Sequence, residues 1–205
     1  MKKTAKKSKA ATAKSKVQRK KAPMKMASGR TGKAVDKEGD IINLILEDHR
    51  SLKELIKVMK DTDNDMEQRQ QAFDDFAPLL VLHAKPEEQT LYVECKQDEE
   101  LRTEGFEGDV EHQLADQMLE EIERTEDEDL WSARVKVLAE LVEHHIQEEE
   151  GELLPDFRDH SELEDRVELG KRFIELKERY LALGGTDSPS EVELEEEEHH
   201  HHPGH

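Results

Sequence analysis

From residue 41 to residue 180 the apolar positions recur at intervals of three and four, the period of an amphipathic helix. Ile41, Ile45, Leu52, Ile56 and Met59 form the first stripe. Asp40 precedes it as an N-cap, so the pattern predicts helix A over 40–60. Phe73, Phe76, Leu80 and Leu91 carry helix B over 65–96, with Asn64 and Glu67 as its cap signature. Pro86 interrupts that stretch, because proline removes a backbone donor and crowds the preceding turn. The helix then kinks at Pro86 or restarts there, and the unbroken phase favours a kink. Residues 97–108 read as a charged, glycine-containing connection. Helix C follows over 109–124 on Ala115, Leu119 and Ile122. Thr125 and Glu128 predict a capping box for helix D over 129–158, whose stripe is Trp131, Val135, Leu138, Leu141 or Val142, and Leu153. Ser161 and Glu164 predict another for helix E, with Leu163, Val167, Phe173, Ile174, Leu176 and Tyr180 buried and Gly184-Gly185 ending it. The chain is therefore expected to be all-α. Residues 40–158 form an up-down-up-down four-helix bundle, and residues 159–184 add a C-terminal helix that packs across the bundle or joins two copies.

Each of the first four stripes contains a histidine in phase with its apolar residues: His49, His83, His112 and His145. Two add a glutamate one turn later, Glu87 and Glu149, on the same helix face. The halves repeat. Asp48-His49 is followed 34 residues on by His83-x-x-x-Glu87, and Glu111-His112 is followed 33 residues on by His145-x-x-x-Glu149. One histidine on an apolar stripe is usually a core residue with a satisfied hydrogen bond. One His-x-x-x-Glu is weak evidence in a chain with 51 acidic residues among 205. The combination is stronger, because a buried carboxylate is costly unless it is paired or metal-bound. Four imidazoles and two carboxylates suit two borderline ions such as iron, manganese or zinc, with Glu87 and Glu149 as bridges. Positions left open fall to solvent or to a small ligand such as oxygen. His144 and Glu148 repeat the spacing one residue out of phase, about 100° round the helix, and read as outer or surface residues. His160 reads as surface.

Asp48-His49-Arg50, His83-x-x-x-Glu87-Glu88-x-x-Leu91-Tyr92, Glu111-His112 and His145-x-x-x-Glu149-Glu150-x-x-Leu153-x-Pro155 together resemble the hemerythrin-like, or HHE cation-binding, domain. The resemblance covers roughly residues 40–158. It implies a four-helix bundle holding a non-haem di-iron centre, with His49, His83, Glu87, His112, His145 and Glu149 as ligands and the two glutamates bridging. Oxygen-carrying members have a further histidine one turn after the helix C histidine. Here that position is Asp116, which either ligates or leaves its place to solvent. Pro86 within the His83 motif is a second departure.

Charge divides the chain sharply. Residues 1–40 hold 14 Lys/Arg against 3 Asp/Glu, whereas the remainder holds 17 against 48. Residues 1–39 are a low-complexity Lys/Ala/Ser/Thr segment, expected to be disordered and to attract nucleic acid or another polyanion, or to act only as a solubilising tail. Residues 185–205 are expected to be a disordered acidic and His-rich tail, its four-histidine run binding metal weakly or marking an expression tag. A single cysteine, Cys95, fits a reducing cytoplasm. No run approaches the ~20 apolar residues of a membrane helix. The leading expectation is a cytoplasmic di-iron protein that binds or senses oxygen species or buffers iron. A di-iron oxidoreductase acting on peroxide or nitric oxide stands second, since no substrate pocket is readable. A non-metal interaction module using the basic tail stands third.

Overall fold

The computed structural model describes residues 39–183, and every regular element among them is helical. The helices are α1 (Ile41–Lys60), α2 (Met66–Glu88), α3 (Leu91–Cys95), α4 (Arg102–Glu123), α5 (Glu128–Glu148), α6 (Leu154–His160) and α7 (Leu163–Ala182). A π-helical turn, Glu149–Leu153, joins α5 to α6. Among the described residues no helix is long and apolar enough to cross a membrane. The Lys-rich segment expected over 1–39 falls outside the described residues except for Gly39, as do the acidic tail of 185–205 and the Gly184-Gly185 stop.

Helices α1, α2, α4 and α5 pack as a closed circuit: α1 against α2, α2 against α4, α4 against α5, and α5 against α1. Their stripes meet in two apolar clusters. One is built on Leu52, Ile56, Phe76, Leu80, Leu119, Ile122, Val135, Leu138 and Val142. The other is built on Ile41, Ile45, Leu91, Tyr92, Leu153, Leu154 and Phe157. Along α1, Ile45 belongs to the second cluster and Leu52 to the first. His49 lies between them, so the polar layer of the protein has apolar walls on both sides. Such walls exclude water and strengthen any electrostatic interaction inside.

Local chemistry moved several expected boundaries. Asp40 caps α1 as expected, its carboxylate accepting from the Ile42 amide. The α2 cap is Asp65 with Gln68, not Asn64 with Glu67, and this reciprocal box meets two amides at once. Helix α2 continues through Pro86 and stops at Glu88, so it neither restarts at Pro86 nor extends to 96. Thr90 makes the break: its hydroxyl donates to the Pro86 carbonyl at 2.6 Å, and its backbone leaves helical geometry before α3 begins. Helix α4 starts at Arg102, well before residue 109. Gly105 and Gly108 are inside it, where α3 approaches closely. A Cβ on Gly108 would collide with the Tyr92 ring, and one on Gly105 would lie 3.0 Å from Cys95 Cβ. Asp127 caps α5, while Thr125 donates to the Glu121 carbonyl instead. Ser161 likewise donates to Phe157, and α7 has no side-chain cap.

Helix α7 packs on α1 and α2. Its buried residues are Arg166, Gly170, Phe173, Leu176 and Tyr180, so the face is turned from the expected one and Ile174 is exposed. Arg166 donates to Asp40 at 3.0 Å, Lys177 to Asp48 at 2.6 Å, and Gln89 to the Tyr180 hydroxyl at 2.7 Å. Gly170 lies against the Gly39 carbonyl, where a side chain would not fit.

Candidate metal centre

Helical phase alone delivers the site. His49, His83, Glu87, His112, His145 and Glu149 are all buried. One ligand-type atom from each of His83, Glu87, His112 and His145 lies within 4.8 Å of the others, and the same holds for His49, His83 and Glu149. His83 belongs to both groups, so the two form one continuous cluster. All six residues singled out by spacing are therefore brought together.

Asp116 is not among them. It is partly exposed and takes a 2.5 Å ion pair from Lys85. His144 and Glu148 pair with each other at 3.3 Å on an exposed face, and His160 pairs with Asp98.

The imidazoles share one orientation. Each turns Nε2 inward and Nδ1 outward. The inward nitrogens of His49 and His145 stand 3.2 and 3.6 Å from Glu149 Oε2. Those of His83 and His112 stand 3.3 and 3.8 Å from Glu87 Oε2. His112 Nε2 and His145 Nε2 are 3.0 Å apart. Two donors bound at right angles about 2.1 Å from one ion would be about 3.0 Å apart, so these separations are those of ligands sharing an ion.

Every outward nitrogen faces a carboxylate. Asp48 stands 3.6 Å from His83, Glu88 3.3 Å from His112, Glu111 2.7 Å from His145 and Glu150 3.2 Å from His49. Each acid sits beside a site residue in sequence but serves the histidine of a different helix. Asp48 of α1 reaches α2, Glu88 of α2 reaches α4, Glu111 of α4 reaches α5, and Glu150 of the π turn returns to α1. The widened turn presents two consecutive acids to His49: Glu149 at Nε2 and Glu150 at Nδ1. Such turns are frequent at functional sites. Lysines hold three of the outer acids: Lys177 on Asp48, Lys85 on Glu88 and Lys53 on Glu150. A carboxylate behind each histidine fixes the ring and tautomer and makes the inward nitrogen a better donor.

Sequence spacing did not reveal this outer ring, although the doublets Asp48-His49, Glu87-Glu88, Glu111-His112 and Glu149-Glu150 were its signal. It also missed Tyr92. That fully buried hydroxyl donates to Glu149 Oε1 at 2.7 Å.

Electrostatics show a site unsettled on its own. Burial, then the nearby Glu149, pushes the Glu87 carboxyl well above the usual carboxylate range. Burial pushes Glu149 the same way, but His145 and His49 outweigh it and hold this carboxyl low. Two carboxylates in one dry site are driven apart in this way. Burial also pulls His83 down to about 4 and lowers His112. It opposes protonation of His145 too, but Glu149 and Glu111 overcome it and raise that imidazole. Among the described residues, the buried inward-facing side-chain atoms left without a hydrogen-bond partner include His49 Nε2, His83 Nε2, both oxygens of Glu87 and Glu149 Oε2. All belong to this cluster. Buried polar atoms are rarely left unpaired, and nitrogen and oxygen donors converging on one space are what a cation supplies partners for. The residues thus fit a metal site.

A family model described as Hemerythrin HHE cation binding domain matches residues 40–157. No curated protein and no solved structure matches the chain.

Proposed function

This chain belongs to the hemerythrin HHE cation-binding family, and from that premise we propose that it holds a non-haem di-iron centre through which it binds or senses oxygen or a related redox species. The observation that carries the reading is the convergence of unpartnered, inward nitrogens and carboxylate oxygens on one dry space. His49, His83, His112 and His145 would supply nitrogen donors to the ions, and Glu87 and Glu149 would supply carboxylates that offset the added positive charge. When bound, the ions supply Lewis acidity and reversible redox chemistry toward a small ligand. The short links 61–65 and 124–127 suit helices alternating up and down, so the ligands come from all four sides of such a bundle.

The protein's own residues orient and insulate. Asp48, Glu88, Glu111 and Glu150 hold the imidazole rings, and the two apolar clusters keep bulk water out. The reading is tested by the iron content of anaerobically purified protein lacking residues 199–205. About two ions per chain are expected, with a new near-ultraviolet oxo-iron absorption on exposure to air. No iron after reconstitution with ferrous iron would overturn it. Peroxide turnover well above that of free iron would move the reading to an oxidoreductase.

The outer ring gives a second test. Glu111 holds His145 through a 2.7 Å contact. Glu111→Gln is expected to weaken iron affinity by about 10- to 100-fold in a competitive chelator titration, with helix content unchanged. An unchanged affinity would show that His145 needs no carboxylate behind it.

A further inference from the structure

We infer that Tyr92 is a further protein ligand of the metal pair, its phenolate oxygen binding the ion held by His112 and His145. This inference rests on the metal-centre reading above and adds a donor that the His and Glu pattern does not contain. Its basis is a triangle of inward donors. Tyr92 Oη is 3.4 Å from His112 Nε2 and 3.4 Å from His145 Nε2, which are themselves 3.0 Å apart. The point equidistant from those three atoms is roughly 1.9 Å from each, shorter than the ~2.0–2.2 Å bond of a transition ion to nitrogen or oxygen. One ion slightly off that plane therefore touches all three. Glu149 Oε1, 2.7 Å from the same hydroxyl, borders the same space.

The fold departs from its local rules to put the hydroxyl there. Helix α2 breaks at Gln89 and Thr90, and α3 restarts at Leu91 with Tyr92 fully buried. Across from it, α4 has glycine at 108, deep in a helix where glycine costs about 1 kcal/mol relative to alanine. A Cβ there would lie 2.6 Å from Tyr92 Oη and closer still to the ring. The break and the glycine both serve this one side chain. Its ring packs on His112, with centroids 5.2 Å apart. The same half of the centre lacks the donor expected one turn after His112, because Asp116 is occupied by Lys85. Tyr92 supplies an anionic oxygen to that half instead.

Coordination replaces one bond with another. The phenol O–H breaks as the oxygen–metal bond forms, and the proton leaves to solvent, the cation taking over the charge balance. No oxidation is required.

The chain has two tyrosines. The other, Tyr180, accepts a hydrogen bond from Gln89 on the α7 side. A tyrosinate signal from iron in this protein is therefore assignable. The full chain is loaded with ferrous iron under nitrogen and oxidised with ferricyanide. Iron content, visible absorption and resonance Raman scattering are then recorded. The expected result is a visible phenolate-to-iron(III) charge-transfer band whose excitation enhances phenolate ring vibrations. The band persists in Tyr180→Phe and is lost in Tyr92→Phe while iron stays bound. A fully loaded wild-type protein without that band would overturn the inference and leave Tyr92 as a hydrogen-bond donor to Glu149, with the metal centre intact. A band that survives in Tyr92→Phe would overturn it equally. Failure of the wild-type chain to bind iron would overturn this inference and the metal-centre reading together.

Discussion

His145→Ala is expected to abolish stoichiometric iron binding. His145 connects several parts of the centre. Its Nε2 faces His112 Nε2, Glu149 and the Tyr92 hydroxyl, and its Nδ1 takes the shortest of the four outer carboxylate contacts, from Glu111. Alanine removes a donor from the shared space and leaves a void that cannot bind a cation. It also removes one of the imidazoles that, with His49, hold the buried Glu149 carboxyl low. Removing one partner of a buried charge costs up to about 3–5 kcal/mol, so the variant is expected to lose stability as well as metal. His144→Ala is the matched control. Its side chain is 63% exposed and pairs with Glu148, so the variant should retain both the iron and the melting temperature. Metal analysis after gel filtration reads the result directly. Two ions retained by a folded His145→Ala protein would mean that His145 is not a ligand and would sink this assignment of the site.

Removing the metal is expected to lower the melting temperature by on the order of 10 °C. A ligand that binds only the native state stabilises it by about 4 kcal/mol when present at a thousand times its dissociation constant. In a domain of this size each kcal/mol moves the midpoint by about 2–6 °C. The sign follows from the cluster. Stripped of ions, it has two acids competing for one dry site, His83 pulled down to about 4, and polar atoms without partners. Each raises the native state's free energy, and a bound cation relieves each. Thermal unfolding followed by circular dichroism, with and without a strong chelator, tests this. Coincident curves in a protein shown to lose its iron would mean that the site contributes nothing to the fold.

Much of this centre was legible in the sequence because helical phase is a rigid ruler. Placing His49 among Ile45, Leu52 and Ile56 fixes the direction it faces, and the same holds for His145 and Glu149. The missing parts are those that phase does not encode. Asp48 is adjacent to His49 yet serves His83, a pairing that depends on how α1 and α2 are packed. Gly105 and Gly108 read as a connection because glycine is a poor helix former. They lie inside α4, and α3 leaves no room there for a side chain. Pro86 drew attention as the place where helix B would kink or restart, whereas the helix continues through it and breaks four residues later, at Thr90. The caps at Asp65 and Asp127 were each misplaced by one or two residues, where neighbouring polar residues are equally plausible on composition and geometry alone decides. The turned face of α7 has a similar origin: Arg166 is buried because Asp40, 126 residues away, receives it.

The circuit of outer acids makes the molecule two interlocking equals. Within the first helical hairpin, Asp48 orients His83, but His49 must await Glu150 from the second. Within the second, Glu111 orients His145, but His112 must await Glu88 from the first. Each half thus completes one of its own histidines and lends an acid to the other half, by the same rule in both directions. A hairpin with this pattern is self-complementary. Two copies related by a twofold axis would satisfy every one of these contacts with no linker between them, which is the rule of an isologous dimer written within a single chain.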